Sequence, residues 1–274
     1  MGTLRDDRIL PFTRIISSIV ICVLVLAFLA LYILPNHTDI DFAWTILPPT
    51  TAILIGAGYT AGAYFFARLL MDNKWHRVQA GFLPITVFTI IMFVATLLHW
   101  GRFHQGTFIF YLWTIIYLLT PFLVPFVWWR NRVTASRGLE EHDILFPQFV
   151  RWGLGGMALL AILLLVVVLI QPTILIPFAP WKLTELTARI LTGWGMLSSL
   201  TVLSIASDGR WSAARTLLQS ALLGLSLTTL AIPRMWGDFN QTNPLTYLFV
   251  GGIILTLVAL FGIHFWLERS IRSK

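Results

Sequence analysis

Ionisable side chains that could act together in chemistry lie close to the ends of several long apolar segments. The candidate site consists of Arg102, His104, Glu185, Arg189, Arg234 and Asp238. An arginine guanidinium can hold a phosphate or carboxylate group through two parallel hydrogen bonds, and His104 or Glu185 could then transfer a proton. One hypothesis is therefore an intramembrane enzyme that acts on a lipid or quinone headgroup at the outer leaflet. We expect this to be the only region where acid, base and cation come within reach of one another.

A structural role for the same residues is an open alternative. Glu185 and Arg189 are four residues apart at the start of a predicted helix, which is the spacing of an ion pair on one helix face. Arg102 could pair with Asp238 across the molecule. His99 and His104 could act as acid–base groups or metal ligands, but their spacing across a helix end is not that of a ligand pair. The sequence therefore favours polar positions at the membrane interface for both.

Cofactor and metal sites are not predicted. Cys22 is the one cysteine, so neither a disulfide within the chain nor a cysteine-based metal site can form. His99 and His264 lie near opposite ends of their predicted helices and cannot share one haem iron. Nucleotide-binding and hydrolase motifs do not occur. These observations favour a protein that is not an enzyme, although they leave the question open.

The elements that must position these side chains are membrane-spanning helices. The chain has 274 residues, of which 57% are hydrophobic and only 11% charged, and its mean hydropathy is +0.81. A helix needs about 20 mostly apolar residues to cross a bilayer. Eight segments qualify, approximately 15–34, 46–70, 79–100, 108–128, 153–172, 184–206, 212–233 and 245–267. The prediction is an all-α, polytopic integral membrane protein whose main partner is the lipid bilayer.

The basic residues indicate how the chain is oriented. With eight spans, 15 of the 19 Lys and Arg residues fall on the side that holds both termini. The other four are Arg102, Lys182, Arg189 and Arg234. Because positive residues accumulate in cytoplasmic loops, both termini are predicted to be cytoplasmic, in a membrane of the bacterial cytoplasmic type. The basic residues behind the net charge of +7 are thus explained by orientation in the membrane, which argues against a nucleic-acid partner.

Tryptophans cluster near the predicted helix ends. The sequence places Trp44, Trp100, Trp181 and Trp236 at outer ends and Trp75, Trp128, Trp129, Trp211 and Trp266 at inner ends. Tryptophan is enriched at both membrane–water interfaces. We therefore expect these side chains to form two aromatic belts.

The chain also contains an internal duplication. A shift of 137 residues pairs Phe12 with Phe149, Arg14 with Arg151, Pro35 with Pro172, Trp44 with Trp181, Gly56 with Gly193 and Gly58 with Gly195. A shift of 136 pairs Trp75 with Trp211, and the Trp-Gly-x-Phe-x-Gln motif of residues 100–105 with that of 236–241. The prediction is two tandem four-helix repeats, residues 1–129 and 147–274, joined by a cytoplasmic linker over 130–146. An even number of helices per unit makes the repeats parallel.

Glycines inside two of the spans predict close helix packing. Gly56, Gly58 and Gly62 lie in the second span, and Gly193 and Gly195 in the sixth. Glycine costs about 1 kcal/mol relative to alanine within a helix, and small residues four positions apart, such as Gly58 and Gly62, allow membrane helices to approach closely. We expect the second and sixth helices to lie near the axis between the repeats, although packing elsewhere is an open alternative.

Two classes of function remain. The first is a non-catalytic membrane protein, either a transporter of a small solute or lipid or an accessory subunit, with a ligand groove between the repeats. The second is the intramembrane enzyme described above. No charged residue lies at the centre of a predicted span, and such residues commonly mark proton and ion pathways. The sequence favours the first class and leaves the oligomeric state undefined.

Overall fold

The chain folds into a bundle of long helices. The computed structural model describes residues 6–136, 138–141 and 143–272, and no strand occurs within these ranges. Arg5, Arg137 and Lys274, and the side chain of Arg272, entered the count of basic residues but lie outside the described residues. Eight helices of the described part are long and apolar enough to cross a membrane. This confirms the all-helical class and the predicted number of spans.

Each predicted span corresponds to one long helix. The helices are α1 (Pro11–Phe28, continued by a π-helical turn over Leu29–Ile33), α2 (Pro49–Met71), α3 (Phe82–Leu98), α4 (Phe108–Asn131), α5 (Gln148–Ile170), α6 (Glu185–Asp208), α7 (Trp211–Met235) and α8 (Pro244–Arg272). Local signals set their ends. The Thr184 hydroxyl caps α6 and forms a capping box with Thr187. Gly209 ends the same helix with a φ of +79°, which glycine adopts without strain.

The connections between the helices gather at two ends of the bundle. The linker end comprises residues 6–10, 72–81, 132–136, 138–141, 143–147 and 209–210. The far end comprises residues 34–48, 99–107, 171–184 and 236–243. Backbone hydrogen bonds hold each end together: Trp75 N donates to Asp7 O at the linker end (2.7 Å), and His104 N donates to Ala43 O at the far end (2.9 Å).

Four helices, α2, α3, α6 and α7, form the inner part of the bundle. The α2 helix packs on α1 and α7, while α3 packs on α4 and α6. The outermost α5 and α8 pack mainly on α6 and α7, respectively. Small residues allow the inner contacts, since a methyl group added at Gly224 of α7 would lie 3.1 Å from the Ala61 side chain of α2. The outer helices turn large apolar side chains away from the protein, as a lipid-facing surface requires.

The tryptophans only partly follow the predicted interfacial belts. Trp100, Trp128, Trp129 and Trp266 are exposed at helix ends as expected. Four others are instead buried in the protein: Trp44, Trp75, Trp181 and Trp211. The Trp44 ring packs 4.9 Å from Trp113 and 5.3 Å from Phe103. The expectation was wrong for these four because the large indole rings fill the space where connecting segments fold over the helix ends.

Two arginines hold the C-terminal ends of neighbouring helices. Arg14 of α1 donates to the carbonyl oxygens of Leu70 and Asp72, the latter at 2.7 Å. Arg151 of α5 donates through Nε to Ala206 O at 2.8 Å and through Nη2 to Ser207 O at 2.7 Å. The last carbonyl groups of a helix have no partner within it and carry partial negative charge. Each guanidinium therefore caps the helix that follows its own.

The glycines singled out in the sequence lie at close helix contacts. An added methyl group would lie 2.8 Å from Tyr32 at Gly56 and 2.7 Å from the Trp194 ring at Gly58. The nearest atoms belong to Leu24 at Gly62, Met92 at Gly193 and Leu165 at Gly195. Gly56 thus faces α1 while its sequence match Gly193 faces α3, so the matched glycines do not have matching neighbours. The central placement of α2 and α6 about a repeat axis stays a prediction.

Candidate functional site

Glu185, Arg189 and His99 form the most compact group of ionisable side chains at the far end. Arg189 Nη1 lies 3.5 Å from Glu185 Oε2 and 2.6 Å from His99 Nε2, and Arg189 Nε donates to Leu169 O at 3.2 Å. The predicted i,i+4 pair therefore forms. Because Arg189 can only donate, Nε2 of His99 is the acceptor and carries no proton.

The same contacts set the protonation of His99. Burial and then the positive charge of Arg189 lower the pKa of His99 below its ordinary value of 6.5, while Glu185 opposes this shift. Both leading causes disfavour the imidazolium form. His99 is therefore neutral at pH 7, with its ring held against the start of α6.

His104 is held by the loop that precedes α2. Its Nδ1 lies 3.0 Å from Phe42 O, and its Nε2 lies 2.9 Å from Thr45 Oγ1. A carbonyl oxygen only accepts, so Nδ1 is the donor in the first contact. Both ring nitrogens are engaged by the fold. The hypothesis that His104 transfers a proton to a substrate gains no support from this arrangement.

Asp238 caps a helix in the other half of the chain. Its Oδ2 accepts hydrogen bonds from Thr50 N at 3.1 Å and from Thr50 Oγ1 at 2.7 Å. Thr50 is the second residue of α2, where backbone N–H groups lack partners within the helix and the helix dipole favours an anion. No ion pair joins Asp238 to Arg102, so the expected pair does not form among the described residues.

Arg234 contacts the end of α1. Its Nη1 donates to Tyr32 O at 3.1 Å, and its guanidinium carbon lies 5.6 Å from the centre of the Tyr32 ring. The hydrogen bond satisfies a carbonyl group at the end of the first helix, and the ring contact adds a cation–π interaction. Of the six candidate residues, the structure brings only Glu185 and Arg189 into direct contact with each other.

A denser ionic network lies at the linker end, where the sequence analysis did not expect one. The Asp7 carboxylate accepts from His76 N at 3.1 Å and from Ser136 N at 3.2 Å, and it also contacts His76 Nδ1. His76 is 2% exposed. The other ring nitrogen, Nε2, lies 3.0 Å from Glu140 Oε1 without hydrogen-bond geometry. One buried imidazole therefore lies between two carboxylates.

Glu140 extends this network to the loop between α2 and α3. Arg77 binds it in a bidentate manner, with distances of 2.8 and 2.7 Å, and Lys74 Nζ lies 3.2 Å away. Burial alone would raise the pKa of Glu140. The hydrogen bonds and charge of Arg77, together with Lys74 and His76, outweigh it and lower the pKa to about 2. Glu140 is therefore ionised throughout the physiological range.

The expectation that only the far end combines acid, base and cation was wrong. The charged residues of the network are visible in the sequence as a basic run at 74–77 and an acidic pair at 140–141. Their partners are separated by more than 60 residues along the chain. Pairing of this kind depends on how the linker folds back over the bundle, which residue spacing does not reveal.

Two cavities in the described part of the chain lie near the linker end. The larger, of about 370 Å³, lies between α5 and α6 near the linker end and includes Arg151 in its lining. The smaller, of about 100 Å³, lies beneath the linker between α2, α7 and α8. None of the six far-end candidate residues lines either cavity. These two cavities therefore lie apart from the polar side chains first considered for chemistry.

Comparison with known proteins adds no relative. No protein-family model, curated protein or solved structure matches this chain. Function has to be inferred from the geometry of its own residues.

The chemistry available at the far end is limited by these contacts. His104 is bound through both ring nitrogens to the loop before α2, and Asp238 is bound through Oδ2 to the start of α2. Arg189 is bound through Nε and Nη1 to Leu169, Glu185 and His99. A general acid or base must reach a substrate atom directly or through one water molecule. The arrangement is suited to fixing helix ends to one another.

Proposed function

We propose that this chain is a non-catalytic integral membrane protein, an accessory subunit built as a rigid scaffold. The main support for the proposal is the capping of α2 by Asp238. This candidate carboxylate of the far end thus links two helices and has a structural role. The two cavities described above lie away from the candidate cluster, and enzyme substrates usually bind in concave pockets.

We propose further that the scaffold consists of two parallel four-helix repeats, residues 1–129 and 147–274, joined by the linker 130–146. Backbone contacts support this at positions matched by the sequence shift. Trp75 N donates to Asp7 O, and the matched Trp211 N donates to Ile144 O at 2.9 Å. Likewise, His104 N donates to Ala43 O, and the matched Asn240 N donates to Pro180 O at 2.7 Å.

The order of helix packing supports the same proposal. A twofold operation that exchanges α2 with α6 and α3 with α7 converts the α2–α7 contact into the α6–α3 contact, and both are extensive. It also converts the α1–α2 pair into α5–α6, and α3–α4 into α7–α8, which are likewise packed pairs. Repeats related in this way by an axis along the membrane normal are parallel repeats.

The packing between these units favours an accessory role over transport. The ring of Trp194 fills the space beside Gly58, and Met92 fills the space beside Gly193. The buried Tyr59 ring of the first unit packs 5.2 Å from the Trp194 ring of the second unit. A ligand groove between the repeats would need this space to be open.

The distribution of basic residues supports a cytoplasmic location for the linker end and for both termini, in a cell membrane of the bacterial type. The lipid bilayer is then the permanent partner of the outer helices.

A comparison of abundance with function tests the non-catalytic role. Asp238→Asn, His104→Ala and Arg189→Ala would be expressed in a strain that lacks the chromosomal gene, with Asp39→Asn, a change at an exposed carboxylate, as the control. We expect any defect of the three variants to follow their abundance in the membrane and to disappear when expression is raised. A variant present at normal abundance with its function abolished would indicate catalysis instead.

A further inference from the structure

The cavity between α5 and α6 has the composition of a lipid site. Its walls include the apolar side chains of Leu159 and Leu203, and its mouth carries Arg151 and Gln148. Trp152, beside Arg151, is 73% exposed. We propose that this groove binds one phospholipid with an anionic headgroup, whose phosphate contacts Arg151 and whose acyl chain lies along α5.

The guanidinium of Arg151 is fixed at the mouth of the groove. Its Nε and Nη2 atoms are bound to the carbonyl oxygens of Ala206 and Ser207, which hold the planar group in one orientation. Its Nη1 atom has no acceptor among the residues that the structure describes. A positioned guanidinium with unused donors is suited to bind a phosphate oxygen.

The groove offers no carboxylate that would attract a cationic headgroup. Arg151 is the one charged residue of the lining, and no ion pair joins it to an acidic side chain within the described ranges. A zwitterionic lipid would place its ammonium group here without a partner. Charge complementarity therefore favours a lipid with a net negative headgroup.

Gly155 and Gly156 create the space for the acyl chain. A methyl group added at Gly156 would have no atom within 4 Å, and one added at Gly155 would approach only Ala206, at 3.9 Å. These glycines therefore form the furrow, which is the part of the groove on the outer surface of α5. Close packing against another helix does not explain the two glycines. From Arg151 to Leu159 the helix rises about 12 Å, which matches the upper part of an acyl chain below its headgroup.

The position of α5 determines where the occupant comes from. This helix packs on α6 and on the 3₁₀ turn that follows it, and it leaves most of its large apolar side chains exposed. Its groove therefore opens sideways from the bundle towards the acyl chains of one leaflet. A phospholipid of that leaflet can enter without crossing the protein.

The matched region of the first half lacks these features. Arg14 makes the corresponding helix cap, but it also donates to Asn73 Oδ1 at 3.3 Å, so a protein atom occupies one more of its donors. Ser18 and Ile19 stand where the sequence shift places Gly155 and Gly156. The cap is thus common to both halves, whereas the furrow belongs to α5. The site rests on contacts of α5 and α6 alone and does not depend on the proposed accessory role.

Binding to the purified full-length protein in detergent tests the proposal. Native mass spectrometry would compare phosphatidylglycerol with phosphatidylcholine of the same acyl chains. Quenching by brominated phosphatidylglycerol would be compared between the wild type and Trp152→Phe, so that the signal of this one indole is isolated. Inorganic phosphate would be added as a competitor that carries no acyl chain.

Two pairs of variants distinguish a loss of lipid binding from a general loss of stability. Gly156→Leu fills the furrow while leaving the Arg151 cap intact, and its control Gly153→Leu adds the same side chain on α5 outside the cavity, where a methyl group also meets no atom within 4 Å. Arg151→Gln removes the phosphate ligand, and its control Arg14→Gln removes the matched cap in the first half.

We expect the wild type, Gly153→Leu and Arg14→Gln to retain phosphatidylglycerol, and Gly156→Leu and Arg151→Gln to bind it at least about tenfold more weakly. Equal binding by Gly156→Leu and the wild type would overturn the proposal. So would equal affinity for phosphatidylcholine, or displacement of the lipid by equimolar inorganic phosphate, because the groove and the headgroup charge would then contribute nothing.

Discussion

Arg14 and Arg151 perform the same task in the two halves of the chain, each capping the C-terminal end of the helix that follows its own. They are also matched by the sequence shift of 137 residues. A charged side chain that binds two backbone carbonyls is an anchor between helices, and this anchor occurs at matched positions of the sequence.

Removal of either anchor should have a similar effect. We expect Arg14→Ala and Arg151→Ala each to lower the free energy of unfolding by about 1.5–3 kcal/mol, because each loses charge-assisted hydrogen bonds to helix carbonyls. Thermal unfolding of the purified protein in lipid-free detergent measures this. Arg269→Ala, at an exposed position of α8, serves as the control and should leave the midpoint unchanged. A large effect of one anchor and none of the other would contradict their equivalence.

The contact between Asp238 and Thr50 gives a second prediction. Asp238→Asn should destabilise the protein by about 0.5–2 kcal/mol, because the start of α2 loses an anionic cap. Thr50→Val removes the hydroxyl donor but keeps the shape of the side chain. If the contact is made as described, the double variant should lose less stability than the sum of the two single changes. Strict additivity in unfolding experiments would show that the two residues do not interact.

Glu140 predicts a specific dependence of stability on acid. Its pKa in the folded protein is about 2, below its ordinary value of 4.5, so the unfolded chain binds a proton more readily. The stabilisation is therefore complete above about pH 5 and is lost as the pH falls towards 2. Glu140→Gln should cost about 1.5–3 kcal/mol at pH 7 and should show a flatter stability curve across this window.

Its neighbour provides the matched control for that experiment. Glu141 is exposed and makes no ion pair among the described residues, so Glu141→Gln should keep both the stability and the pH profile of the wild type. Identical profiles for the two variants, followed by chemical unfolding between pH 2 and 7, would count against the network at the linker end.

The proposed orientation predicts which ends of the bundle can be labelled from outside a cell. In a background in which Cys22 is replaced by serine, Thr242→Cys at the far end should react with a membrane-impermeant maleimide in intact cells. Glu141→Cys at the linker end should react only after the cells are permeabilised. The reverse pattern would require an inverted orientation, and labelling of both sites in intact cells would indicate damaged membranes, which an intracellular marker protein detects.

The number and approximate limits of the helices could be determined from the sequence alone. Eight apolar runs separated by charged or proline-containing segments suffice for this, because a helix must satisfy its backbone hydrogen bonds within itself to cross a bilayer. The Glu185–Arg189 pair could also be predicted from the sequence, because helix geometry determines which residues are neighbours on one face.

Only the tertiary structure revealed the partners of Asp238, His104 and Glu140. Each contact joins residues that are far apart in the sequence, and each arises where a connecting segment folds over the end of a helix. The same is true of the buried tryptophans, for which residue type and position near the helix ends had predicted the membrane interface. Periodicity along a helix is a local property of the chain, whereas the choice of partner at a helix end depends on which helices pack side by side.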